Sequence, residues 1–239
     1  MKKYYTRILS FLLVLSCIVL LSSCYTEDPG SLQESEKQFS IIDFDRLELG
    51  SAFIIEVKEG DSFSVSAKGD VRNLDDIKVY KNGSSLVVKY DDNHNRKHDT
   101  YIYITMPELL GATLSGATDS KISGFSSDND SFDFHLSGAS YAQIDMVTSA
   151  MNLNISGASQ LRISGTTTNM DVDVSGASVL SAFNLIAEDA HVHASGASEA
   201  KVNVTTTLHA TASGASTIVY RGSPALTRDS SGASSIHHD

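Results

Sequence analysis

The sequence predicts an all-β protein wound as a parallel β-helix solenoid, and three observations carry that prediction. The tetrapeptide SGA[ST] occurs seven times, with its glycines at Gly116, Gly138, Gly157, Gly176, Gly196, Gly214 and Gly232. The spacings are 22, 19, 19, 20, 18 and 18 residues, the near-constant period that marks a solenoid. The residues flanking each copy alternate apolar and polar with period two, as in a strand with one buried face.

The chain opens with "MKKYYTRILSFLLVLSCIVLLSSC". A basic start (Lys2, Lys3, Arg7) precedes an apolar run from Ile8 to Leu21. That run is shorter than the roughly 20 residues a bilayer-spanning helix needs, so residues 1–23 are expected to be a secretion signal. The closing Leu21-Ser22-Ser23-Cys24 has the small residues that precede an acylated cysteine. Cys24 is therefore the expected lipidation site, with the membrane as a partner through that anchor. The second cysteine, Cys17, leaves with the signal, so the fold must hold without disulfides. Residues 24–38 are polar and acidic around one Pro-Gly and are expected to form a flexible tether.

Residues 39–107 lack the SGA[ST] motif but still alternate. Phe53, Ile55 and Val57 precede Gly60-Asp61, and Phe63, Val65 and Ala67 follow it. Asn82-Gly83 separates two alternating runs, a hairpin signal. Residues 91–99, "DDNHNRKHD", read as a charged exposed loop. This half is expected to begin the same solenoid and cover its first coil, with a separate small β domain as the alternative.

Residues 108–239 form the repeat section. One, three and five positions before each SGA stand the expected inward residues, such as Ile155, Leu153 and Met151, or Val174, Val172 and Met170. By the same alignment Leu110 faces inward in the first copy. The intervening positions are polar. A second, shorter strand follows each corner, with Leu161 and Ile163 inward, and then a looser threonine-rich stretch. Glycine permits the sharp corner, alanine beside it is expected to fill a narrow interior, and the serines are expected to stack on one another. No copy matches the G-x-S-x-G elbow of serine hydrolases, so the repeated serine reads as structural. In the last copy Arg228 and Ser230 replace inward aliphatics and His238 closes the second strand, as expected of a polar end cap.

Together "GSAFIIEVKEGDSFSVSAKGD", "LDDIKVYKNGSSLVVKY", "YIYITMPEL" and the SGA repeats resemble the putative auto-transporter adhesin, head GIN domain family, over roughly residues 39–235. That resemblance implies a right-handed parallel β-helix, often on an envelope lipoprotein, and supplies no catalytic residues. No segment reads as an outer-membrane barrel, so a true auto-transporter is not expected.

The formal charge is −11, and loss of residues 1–23 removes three basic and no acidic residues, leaving −14. Such a surface repels phosphate backbones, so no nucleic-acid partner is expected. On the outward face before the corners, Asp171 and Asp173 lie one coil from His191 and His193, with His209 on the next. Such donors at strand spacing form a candidate metal site. Asp171 and Asp173 are also spaced like the acids of an inverting glycosidase, but nothing apolar surrounds them to create a general acid. Exposed aromatics suited to sugars are few: there is no Trp, Tyr141 and Tyr220 lie in the repeats, and Tyr80, Tyr90, Tyr101 and Tyr103 gather in the first half. No motif specifies a cofactor. The expected function is a non-catalytic, lipid-anchored adhesive or structural module of the cell envelope, most simply the outer membrane, presenting polar columns to a glycan or protein. A polysaccharide-active enzyme and an accessory envelope-sensing lipoprotein are the alternatives.

Overall fold

Alternating residues bounded by glycine corners make strands, and the repeat makes them stack. The computed structural model describes residues 30–92 and 96–239, apart from the side chains of residues 127–130. The expected leader and Cys24 lie outside these residues. The repeat section forms β8 (Gly111–Leu114), β9 (Asp119–Leu136), β10 (Tyr141–Ile155), β11 (Gln160–Val174), β12 (Val179–Ala194), β13 (Glu199–Ala212), β14 (Thr217–Arg221), β15 (Ala225–Ser230) and β16 (Ser235–His238). Each long strand starts just after one SGA[ST] corner and ends just before the next. Its first part lies on the post-corner face and its last part on the pre-corner face.

Successive coils pair in parallel and in register, forming the parallel β-helix. Asn152 lies opposite Asp171, Asp171 opposite His191, and His191 opposite His209. The unequal repeat lengths are absorbed as bulges away from the corners. The β9–β10 register shifts near Met146 and between Thr148 and Ala150, and the β12–β13 register between Ala182 and Ile186. A bulge adds residues to one strand without moving the pairs beyond it. The corners therefore stay in line while the looser stretch varies.

The core is a set of stacked columns. Phe134, Leu153, Val172, Val192 and Ala210 form one, and Leu136, Ile155, Val174, Ala194 and Ala212 another, all buried. In two coils large residues on one face go with small ones on the other: the coil of Phe134 continues to Ala142, and that of Ala212 to Ile218. Such compensation keeps the interior at close-packed density. In the first copy it is Leu109 that is buried, while Leu110 is half-exposed, because the chain enters β8 from the turn after Pro107 rather than along a full preceding strand.

The first half contributes β1 (Glu34–Phe39), β2 (Arg46–Leu49), β3 (Ile54–Glu59), β4 (Ser64–Asp70), α1 (Val71–Asp75), β5 (Ile77–Asn82), β6 (Ser85–Tyr90) and β7 (Thr100–Met106). Strands β2 and β3 make a coil that stacks on β8 and β9. Strands β6 and β7 stack on its other side. Chain order and stacking order thus differ here, since the coil at 46–59 lies between that of β6 and β7 and that of β8 and β9. Antiparallel strands then close this end: β5 pairs with β6 through the hairpin at Gly83, β4 pairs with β7, and β1 pairs with β4. The expected tether consequently stops short of residue 38. Residues 34–38 are polar, yet β4 offers Glu34–Phe39 a free edge with six register pairs, and Phe39 packs against the core. Among the described residues no helix is long and apolar enough to cross a membrane.

Candidate functional site

The corners come first, because they set where every outward side chain stands. The seven repeat glycines all have φ between +69° and +80°. Each glycine after Gly116 sits directly on the previous corner: a Cβ on Gly196 would meet the Gly176 carbonyl oxygen at 2.7 Å. That carbonyl accepts from the Ala197 N–H at 2.8 Å, and Ala177 and Ala215 repeat the bond. The alanine is not interior, contrary to expectation. Gly157 and Ala158 are exposed, and the residue that turns in is the fourth, a column of Thr118, Ser140, Ser159, Ser178, Ser198 and Ser216. The reason is hydrogen bonding. Buried Ser216 donates to the Ala194 carbonyl at 2.9 Å and is also 2.8 Å from the Ser213 carbonyl, so its hydroxyl bridges two coils. A buried hydroxyl with such partners is no nucleophile in waiting.

On the pre-corner face the candidate metal donors stand in two exposed columns. One runs Asp133, Asn152, Asp171, His191, His209; the other runs His135, Asn154, Asp173, His193, Thr211. The His191 and His209 rings lie 4.7 Å apart, centre to centre. Among the described residues no three His, Cys, Asp or Glu side chains converge on a point that could hold a metal. Asp171 and Asp173 stand in open solvent on the strand face. Further down the column Arg46 reaches past Gly111 to Asp133, 2.9 Å away, and Asn152 donates to the other oxygen at 2.8 Å. The Asn152 amide and the Arg46 guanidinium hold the Asp133 carboxyl below its usual range against partial burial. A Cβ at Gly111 would strike the Arg46 guanidinium, so this glycine is the gap through which the ion pair forms.

The post-corner face carries what sequence reasoning passed over. A groove of about 510 Å³ is lined by Gln143, Arg162, Ser181, Phe183, Lys201 and Arg221, among others. Arg162 lies over the Tyr141 ring at 5.9 Å and Arg221 over Phe183 at 3.9 Å. These residues come from five coils with different spacings, so only the paired register brings them together. The one legible signal was that Arg162 and Lys201 share the outward phase of their strands.

The first-half tyrosines divide. Tyr101 and Tyr103 lie outward on β7 with nearly parallel rings 6.5 Å apart. Tyr80 is exposed on β5, on the other stack of strands. Tyr90 is turned inward, packing on Phe53 at 4.7 Å and donating to Thr100 at 2.7 Å.

The family model described as "Putative auto-transporter adhesin, head GIN domain" matches residues 43–224. A solved structure from Bacteroides fragilis, described as a putative adhesin, superposes with a TM-score of 0.82 at 21% identity, over 87% of this chain and 98% of that one. A putative adhesin from Parabacteroides merdae gives 0.68 at 15% identity, over 88% and 98%. A structure from Parabacteroides distasonis described as a putative lipid binding protein gives 0.68 at 18% identity, over 86% and 96%. No curated protein matches the sequence.

Proposed function

The chain belongs to the family described as putative auto-transporter adhesin, head GIN domain, and from that premise we propose that it is a non-catalytic surface module held in the cell envelope by lipid on Cys24. The family supports an adhesin-like role at a surface or envelope. The single observation that carries the binding reading is the register itself: outward side chains from successive coils form exposed polar columns on a fold whose backbone is hydrogen-bonded coil to coil. Such a frame presents groups at fixed intervals without ordering them on binding, which lowers the entropic cost of recognition. The acid pair Asp171 and Asp173, the basis of the enzyme reading, lies on an open strand face, where nothing excludes water from a reacting bond.

Two measurements test this. Cells fed a labelled fatty acid are expected to label the protein, and Cys24→Ser is expected to abolish the label. A glycan array run beside a reducing-sugar assay is expected to show binding without new reducing ends. Cleavage abolished by Asp171→Asn would instead establish the enzyme, and silence in both assays would favour the envelope-sensing role.

A further inference from the structure

We propose that the post-corner face binds an acidic polysaccharide laid along the solenoid axis, with its carboxylates held by Lys121, Arg162 and Lys201. This deepens the reading of the protein as a non-catalytic surface module and rests on it.

The protein is acidic, with a formal charge of −11, yet one column on this face contains no acid from β9 to β16. Register places Lys121, Gln143, Arg162, Ser181 and Lys201 side by side on consecutive coils. With strands about 4.8 Å apart, a cation recurs about every 9.6 Å, and a neutral hydrogen-bonding side chain stands between each pair. The groove runs along the upper part of this column, with Arg221 at its edge. Lys201 also meets Glu199 at 3.1 Å, and Glu56 stands opposite Lys121 in register but pairs with Lys58 at 2.7 Å; among the described residues neither Lys121 nor Arg162 forms an ion pair. The Arg162 guanidinium lies 5.9 Å from the centre of the Tyr141 ring, within cation–π range.

The geometry selects among anions. Evenly spaced cations alternating with amide and hydroxyl groups match a linear chain that alternates charge with hydroxyls, which describes a polymer containing uronic acids. A protein partner would want apolar anchors in desolvated pockets, and the groove is open and polar. A nucleic acid would need a continuous basic track, whereas Asp119, Asp145 and Glu199 flank this column.

The test is calorimetric titration of the full-length chain in detergent with three probes, namely oligogalacturonate, oligomannuronate and hyaluronan fragments. Each is paired with its carboxyl-reduced neutral counterpart. At least one acidic probe is expected to bind, more weakly as salt rises, and its neutral counterpart to lose that binding. Arg162→Gln and Lys201→Gln are each expected to weaken binding about tenfold, the worth of one charge-assisted hydrogen bond. Lys89→Gln removes a distant charge and is expected to change nothing, and all three variants are expected to melt with the parent. The proposal is overturned if none of the acidic probes binds, if the neutral forms bind equally, if neither groove variant weakens binding, or if single-stranded DNA competes as well as the sugar. Failure here is separable from failure of the module reading. Neutral glycans bound independently of Arg162 and Lys201 would sink this site and leave the module. Acidic chains bound at these residues and then cut would keep the site and sink the non-catalytic reading.

Discussion

At the scale of single residues the corner glycine is the feature on which the rest is built. Gly176 has φ of +73°, and a Cβ there would overlap the Gly157 carbonyl oxygen, which is fixed by its bond to Ala177. Two costs combine: a β-branched residue in the left-handed region, and a clash with backbone that cannot move without breaking the corner ladder. Gly176→Val is expected to destabilise the protein by at least about 3 kcal/mol in denaturant melts. Gly83 supplies the control. Its φ is +62° but nothing lies within 4 Å of a Cβ, so Gly83→Ala is expected to cost only about 1 kcal/mol. Equal losses at the two positions would show that conformation, not stacking, is what the repeat glycines protect. The seven corners were legible in the sequence because their cause is local and recurs. Alanine's outward place was not, since serine and alanine are both small and only the Ser216 bonds to two carbonyls show which one turns in.

Among elements, the antiparallel cap depends most on one side chain. Asp70 ends β4 and caps α1, and it is buried. It accepts from the Arg72 guanidinium at 2.6 and 2.7 Å and from the backbone N–H groups of Arg72 and Gln33 at 3.0 Å. The Arg72 bonds, helped by those backbone donors and opposed by burial, hold its carboxyl well below the ordinary 3.8. A depressed folded value means the stabilisation is complete above about pH 4 and is lost as pH falls below that toward the folded value. Asp70→Asn is expected to cost about 2 kcal/mol at neutral pH. It is also expected to flatten the fall in stability between about pH 4 and pH 2 in acid titrations. An unchanged acid limb would show that other carboxylates govern it. The cap's hairpin was legible at Asn82-Gly83, and the first half was expected to cover the first coil, but the rest of the cap was not legible. Strand β1 is polar enough to pass for a tether, and the coil at 46–59 has its corner at Gly50-Ser51-Ala52, with Ser51 and Ala52 themselves at positive φ. A corner written without the repeat's spelling leaves only its alternation to find it by.

For the whole molecule, stacking makes stability a sum over neighbouring coils rather than the property of one centre. Deleting residues 157–175 joins Ser156 to Gly176 and removes one whole coil. The product is expected to keep its β-sheet circular dichroism and a cooperative melt at a moderately lower temperature. Deleting only the first half of that segment breaks the register and is expected to give an unfolded or aggregated chain. Function at this scale comes from columns no single repeat contains, which is why the architecture could be read from the sequence and the basic groove could not. Lys121, Arg162 and Lys201 lie at irregular intervals in the chain and fall into line only after the bulges have absorbed the differences. The most direct measurement is affinity for acidic oligosaccharides of increasing length. The stacked-column account predicts that affinity climbs from the single sugar until the chain spans Lys121 to Lys201, about 19 Å, and then levels off. A single sugar acid binding as tightly as the longest chain would contradict it.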